Sequence, residues 1–127
     1  MEVVGAIIRN KRGEYLLQQR DEHAPSFKHH WTLFGGQVEE GEKPEEAMMR
    51  ELDEELGFKV RDMLSVELVQ TNTNEGGLVQ YIFEIITEVE LDDLTLGEGE
   101  AMEYVDEGVL FEREFAFNIK EVLEKLR

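Results

Sequence analysis

Cysteine is absent from this 127-residue chain, which excludes disulfides, thiolate nucleophiles and cysteine-ligated zinc. The lack fits a reducing compartment. No apolar run approaches the roughly 20 residues a membrane helix requires. Met1-Glu2 leads straight into Val-Val-Gly-Ala-Ile-Ile without a basic n-region. The expectation is a cytoplasmic protein with no membrane partner. Positive charge is scarce: 13 Lys and Arg stand against 30 Asp and Glu, a formal net charge of −17. Such a surface repels nucleic acid and anionic membranes. It also repels a free polyphosphate, so such a substrate would arrive as a metal complex or meet metal already bound.

A hydrophobic content of 41% with seven phenylalanines indicates a globular chain, read as one domain over residues 1–127. Residues 2–9 and 14–20 read as strands around a turn at 10–13, followed by a polar loop over 21–30 and a short apolar strand at 31–34. Residues 63–72 and 78–89 read as a hairpin about the turn at 72–77, with Leu64, Val66 and Leu68 on one side of the first strand. Residues 90–103 form an acidic loop, 104–111 are ambiguous, and Phe115, Ile119, Val122 and Leu126 stand at helical spacing, predicting a helix over 114–126. This order predicts a mixed sheet covered by helices, an α/β sandwich.

The segment between is the informative one. Pro44 suits the first turn of a helix, Glu45 and Glu46 complement its dipole, and Gly57 stops it, so a helix is predicted over 44–56. Lys43 is a poor N-cap, so another group must satisfy the free N–H. At about 100° per residue, Glu51, Glu54 and Glu55 share one arc, beside an apolar arc of Met48, Met49, Leu52 and Leu56, while Glu46 and Asp53 face away. Like charges at this spacing repel by a few tenths of a kcal/mol each, and next to a core they are poorly screened. A solvated acidic face is the simpler explanation, but here the charges adjoin the core stripe and do not oppose it. Arg50 can neutralise only part of the cluster. Three carboxylates on a helix behind the Gly35-Gly36 loop suit a hard divalent cation, and a cation suits a phosphate.

The stretch GQVEEGEKPEEAMMRELDEELGF, residues 36–58, resembles the Nudix box: a glycine, five residues, a glutamate, seven residues, then Arg-Glu-apolar-x-Glu-Glu-x-Gly-apolar. Every fixed position is met. The resemblance implies a Nudix-type α/β/α sandwich with a mixed β-sheet and a loop-helix-loop catalytic motif. It also implies Mg2+-dependent hydrolysis, with Mn2+ as the alternative ion, of a nucleoside diphosphate linked to another group. It makes Glu51, Glu54 and Glu55 metal ligands, with the carbonyl of Gly35 a further one, and Glu51 or Glu55 a helper in deprotonating water. Gly36, Glu42, Arg50 and Gly57 become structural members of the motif.

Outside the box the chain is similar to small MutT-type nucleoside triphosphate pyrophosphohydrolases. By that resemblance Arg20 contacts phosphate, Glu98 (or Glu100) joins the metal site as ligand or base, and Asn118 reads the base. Phe27, in the polar loop, is a stacking candidate. Gln37, grouped with the substrate-binding residues, stands where the family often has a basic residue. Phe34-Gly35-Gly36 replaces the usual Pro-Gly-Gly, and the markers of dinucleoside polyphosphate, ADP-ribose, coenzyme A and NADH hydrolases are missing. The expected substrate is therefore a (possibly modified) (d)NTP, cleaved to NMP and pyrophosphate. The alternatives are sugar-nucleotide hydrolysis and a non-catalytic nucleotide-sensing domain. Isoprenoid diphosphate isomerisation on this scaffold would want a cysteine. His23, His29 and His30 lack the partners of a zinc site, and Trp31 and Phe34 read as packing behind the glycines. The protein would act on a small-molecule nucleotide as a monomer or a homodimer.

Overall fold

Alternation along the first strand sets the layering of the computed structural model, which describes residues 1–126. In β1 (Glu2–Asn10), Val4, Ala6 and Ile8 face one apolar cluster and Ile7 faces another. β2 (Tyr15–Gln19) repeats the split, with Leu16 on the first side and Tyr15 and Leu17 on the second. The first face is covered by α1 (Pro44–Leu56) through Ala47, Met48, Leu52 and Leu56. The second is covered by α2 (Ile119–Glu124) through Ile119, Val122 and Leu123. The result is an α/β/α sandwich. Each fully buried Leu or Met contributes about 1.5–3 kcal/mol.

β1 is central. It pairs in parallel with β6 (Val79–Thr87) along its whole length. Its other edge is shared by two antiparallel strands: β2 at its C-terminal end, and β4 (Phe34–Gln37) at its N-terminal half, where Gly35 faces Gly5. β5 (Met63–Thr73) forms the edge beyond β6, while β3 (Trp31–Thr32) and β7 (Ala101–Val105) pair with β2.

The helix over 44–56 has the predicted bounds. Gly57 closes it in the left-handed conformation (φ 67°), its N–H donating to the Asp53 carbonyl at 2.9 Å. The Lys43 N–H donates to the Glu46 carboxylate at 2.8 Å, which ties the chain before the helix to its first turn, while the Lys43 side chain accepts no helix N–H. Three expectations are corrected. The strand over 31–34 is two strands divided at Leu33, where the chain leaves β2 to join β1. The acidic loop over 90–103 ends in a strand, β7, because its last residues zip onto the free edge of β2. The helix over 114–126 begins only at Ile119. Phe117 adopts a left-handed φ of 51°, and the segment before it is extended, Trp31 donating to the Glu114 carbonyl at 2.8 Å and Ala116 donating to that of Trp31 at 2.9 Å. Val66 and Leu68 pair with Ile85 and Phe83 on the α1 side of the sheet, yet with Leu64 they stay exposed, because α1 lies over β1 and β4.

Candidate active site

Gly35 and Gly36 set how close α1 comes to the sheet. A Cβ on Gly35 would lie 2.0 Å from the Val4 carbonyl oxygen, and one on Gly36 would lie 2.4 Å from the Glu51 carboxyl carbon. Only a chain without side chains there lets β4 pair with β1 while Glu51 approaches its backbone. The Gly35 N–H donates to Glu55 Oε1 at 3.1 Å, so the loop and the last turn of the helix are tied directly.

The three box glutamates fan from core to solvent. Glu55 is 5% exposed; Glu51 has 17% of its side chain accessible and Glu54 has 59%. Arg50 organises the outer part of the fan. Its guanidinium donates to both Glu42 carboxylate oxygens at 2.7 and 3.1 Å, to Glu51 at 2.9 Å, to Glu54 at 3.4 Å and to the Gln37 carbonyl at 3.0 Å. Glu42 in turn accepts the Glu39 N–H at 2.9 Å, which closes the loop, and Arg50 holds its carboxyl below the usual range. Arg50 and Glu42 are thus joined in one ion-paired knot beside the glutamates.

Glu55 is the exception. Burial, then the nearby charges of Glu98 and Glu51, push its carboxyl up to about 8 against the opposing hydrogen bonds of the Gly35 N–H and the Gln18 side chain. Glu98 reaches this position because the loop that bears it seals the end of α1: the Thr95 N–H donates to the Leu56 carbonyl at 3.0 Å and the Gly97 N–H to that of Glu55 at 2.7 Å. Among the described residues no three acidic or imidazole side chains are gathered closely enough to hold an ion as they stand. Arg50 holds Glu51 and Glu54 by hydrogen bonds, and Glu55 is held at the Gly35 N–H. The donor set nevertheless fits a hard cation: it is all oxygen, and among the described residues no positive side chain pairs with its innermost carboxylate.

Beside Glu55 and Glu98 opens a cavity of about 480 Å3, whose wall also includes Gly35, Gln18, Arg20, Leu33, Gln80 and Ile82. Arg20 lines it, with Nε donating to the Ser26 carbonyl at 3.1 Å and the guanidinium 4.9 Å from the Phe117 ring. The Phe27 ring packs 4.8 Å from Phe117 and 5.5 Å from His30 and lies outside the cavity wall. Gln37 is also outside it, exposed on the Arg50 side. Asn118 lies behind the wall, exchanging amide hydrogen bonds with Gln80 at 3.0 and 2.8 Å. Glu100 pairs with His29 at 2.5 Å, and His30 approaches Glu114 at 3.8 Å, so the adjacent histidines do diverge. Phe34 is fully buried, and Trp31 packs under Arg113, 4.6 Å from its guanidinium.

Two wall residues escaped sequence reasoning. Gln18 donates to the Leu33 carbonyl at 3.1 Å and approaches Glu55 Oε2 at 3.5 Å. Its signal was available, a glutamine in phase with the core residue Leu16. Gln80 gave none, since its place follows from the long-range pairing of β6 with β1.

Residues 1–126 match the NUDIX domain family. The chain is 32% identical over 126 residues to an uncharacterized Nudix hydrolase of Listeria innocua, covering 98% of this chain and 67% of the relative. It is 34% identical over 90 residues to an 8-oxo-dGTP diphosphatase of Haemophilus influenzae, covering 69% of this chain and 63% of the relative. The chain thus spans about two thirds of the length of these relatives. Among solved structures it is similar to a MutT from work on Aliivibrio salmonicida and Vibrio cholerae, with a TM-score of 0.80, 25% identity, and 98% and 94% of the two chains covered.

Proposed function

The chain belongs to the NUDIX hydrolase family, and from that premise we propose that it cleaves a nucleoside triphosphate to a nucleoside monophosphate and pyrophosphate, with Mg2+ as cofactor and Mn2+ as the alternative. The observation that carries this reading is Glu55: a buried carboxyl at the head of a nucleotide-sized cavity, facing Glu51 and Glu98, with no lysine or arginine among the described residues paired to it. Glu51, Glu54, Glu55 and the carbonyl of Gly35 would hold the metal, with Glu98 across from them. When bound, the ion would offset phosphoryl charge and lower the pKa of water.

The rest falls to the chain's own side chains. Gln18 and the Gly35 N–H fix the plane of the Glu55 carboxylate. Arg50 restrains Glu51 and Glu54, so that they cannot swing freely into solvent. Arg20, on the cavity wall, supplies the positive charge a polyphosphate needs in a protein of net charge −17. A carboxylate of the cluster accepts the proton as water adds to phosphorus, the P–O anhydride bond breaks, and pyrophosphate leaves. The acidic surface favours a free nucleotide over a polymeric one.

The test is a turnover screen of all (d)NTPs, oxidised purine nucleotides and sugar nucleotides with Mg2+ and Mn2+. The 8-oxo-dGTP diphosphatase relative puts oxidised purines first in that screen. Pyrophosphate and a monophosphate from at least one triphosphate is the expected result. Orthophosphate as the initial product, or no turnover of any triphosphate, would contradict the proposal.

A further inference from the structure

Two loops that line the cavity are joined by a single pair of side chains. One loop, over 21–30, follows Arg20 and sends Asp21, His23 and Pro25 to the wall; the other, a strap over 97–100, carries Glu98. The strap is stretched between two elements. The Gly97 N–H donates to the Glu55 carbonyl, in the last turn of α1, at 2.7 Å, and the Glu100 N–H donates to the Gln19 carbonyl, in β2, at 2.9 Å. It lies tightly against both. A Cβ on Gly97 would stand 3.0 Å from the Glu55 carbonyl oxygen, and one on Gly99 would stand 2.7 Å from that of Gln19. Glu98 sits between these two points, and their spacing brings its charge to Glu55.

His29 stands at the neck of the first loop. Its N–H donates to the Arg20 carbonyl at 2.9 Å, and the Arg20 N–H donates to the His30 carbonyl at the same distance. Gln19 Nε2 donates to the His29 carbonyl at 3.0 Å. With the main chain so occupied, the imidazole reaches out to the strap, and Nδ1 lies 2.5 Å from Glu100 Oε1. A carboxylate accepts, so Nδ1 carries the hydrogen. His29 holds this pose at a φ of 64°, in the left-handed region that residues with a Cβ rarely occupy. Both partners are open to solvent, with 56% and 36% of their side chains accessible, and an exposed pair adds little to stability. A strained backbone kept for a pair that hardly stabilises the fold points to function.

We propose that His29 is a positioning residue for the carboxylate cluster: through Glu100 it fixes the strap centred on Glu98 and so holds Glu98 at Glu55. This rests on the hydrolase reading above and adds to it a residue outside the cavity wall. Arg20 keeps its main-chain bonds to the loop whatever side chain stands at position 29. The effect of His29 therefore falls on turnover and not on substrate binding.

Two substitutions at one position separate the imidazole from the backbone that bears it. His29→Gly removes the side chain at a φ that glycine adopts freely. His29→Asn tolerates the same φ and places an amide N–H where Nδ1 stands. With a triphosphate and saturating Mg2+, His29→Gly should lower kcat about 10-fold and leave KM within about 2-fold, the scale of losing an outer-shell partner. Glu100→Ala should match it, and His29→Asn should recover most of the loss. In a Glu98→Gln background, His29→Gly should cost less than about 2-fold, since residues acting through one group are not additive. The melting temperature of His29→Gly should stay within about 2 °C of wild type. Hydrogen exchange without substrate or metal gives a second readout: the Gly97 and Glu100 amides should exchange at least about 5-fold faster in His29→Gly, and near the wild-type rate in His29→Asn. Unchanged kcat or unchanged exchange in His29→Gly would overturn the inference. So would a loss that appears in KM, a melting temperature that falls with the rate, an Asn variant as slow as the Gly variant, or a full loss on top of Glu98→Gln. Exchange that responds as described in a chain that turns over no triphosphate would overturn the hydrolase reading and leave the clasp in place.

Discussion

Glu55 concentrates the chemistry of the site in one carboxyl. Unfolded, it has its ordinary value of 4.5; folded and without metal it stands at about 8, because burial and the facing charges of Glu98 and Glu51 outweigh the hydrogen bonds from Gly35 and Gln18. The folded state therefore holds the proton more tightly. The stability this contributes is fully present below about 4.5 and is lost as pH rises through about 8. Urea unfolding of the metal-free protein between about pH 5 and about pH 9 should show stability falling, with a slope approaching at most about 1.4 kcal/mol per pH unit. Glu55→Gln should flatten that slope, and a profile parallel to wild type would remove Glu55 as its source. In turnover, Glu54→Gln or Glu55→Gln should each cost at least ~100-fold, the usual loss when a group stabilising transition-state charge is removed; near wild-type rates in both would count against the metal assignment. Arg20→Ala should raise KM for a triphosphate and leave the Mg2+ affinity of the free protein unchanged. Equal losses in both would make Arg20 structural.

Helix α1 and the strands around it were largely legible because their signals are local. Pro44 and Gly57 mark the ends of α1, and the ion-paired knot of Glu42 and Arg50 lies within one loop-helix unit. Two of the three elements misread depend on partners far along the chain. β7 exists only because β2 offers it an edge, and α2 starts late because Phe115 and its neighbours bridge to Trp31 before the left-handed Phe117. The same division runs through the site. The box glutamates could be read from helical spacing, whereas Gln18, Gln80 and the 95–97 cap that carries Glu98 toward Glu55 needed the sheet to be assembled. The Gly35-Gly36 loop can be tested as a spacer. Gly35→Ala places a methyl against the Val4 carbonyl and should destabilise the fold by about 1–3 kcal/mol in urea, whereas an unchanged midpoint would mean that the loop has slack the geometry does not show.

A net charge of −17 attracts divalent cations diffusely to the whole surface, so a cation effect by itself says little. The distinction is between thirty scattered acids and the few brought together by α1 and the loop after β6. No helix among the described residues is long and apolar enough to cross a membrane. Thermal unfolding in rising Mg2+ separates the two contributions when wild type is compared with Glu54→Gln/Glu55→Gln and with Glu40→Gln/Asp92→Asn, a pair that loses equal charge from exposed positions elsewhere. The wild type and the surface pair should both gain roughly 5 °C or more at saturation, and the site pair should gain far less. Equal gains in all three proteins would contradict the claim that these carboxylates form the cation site.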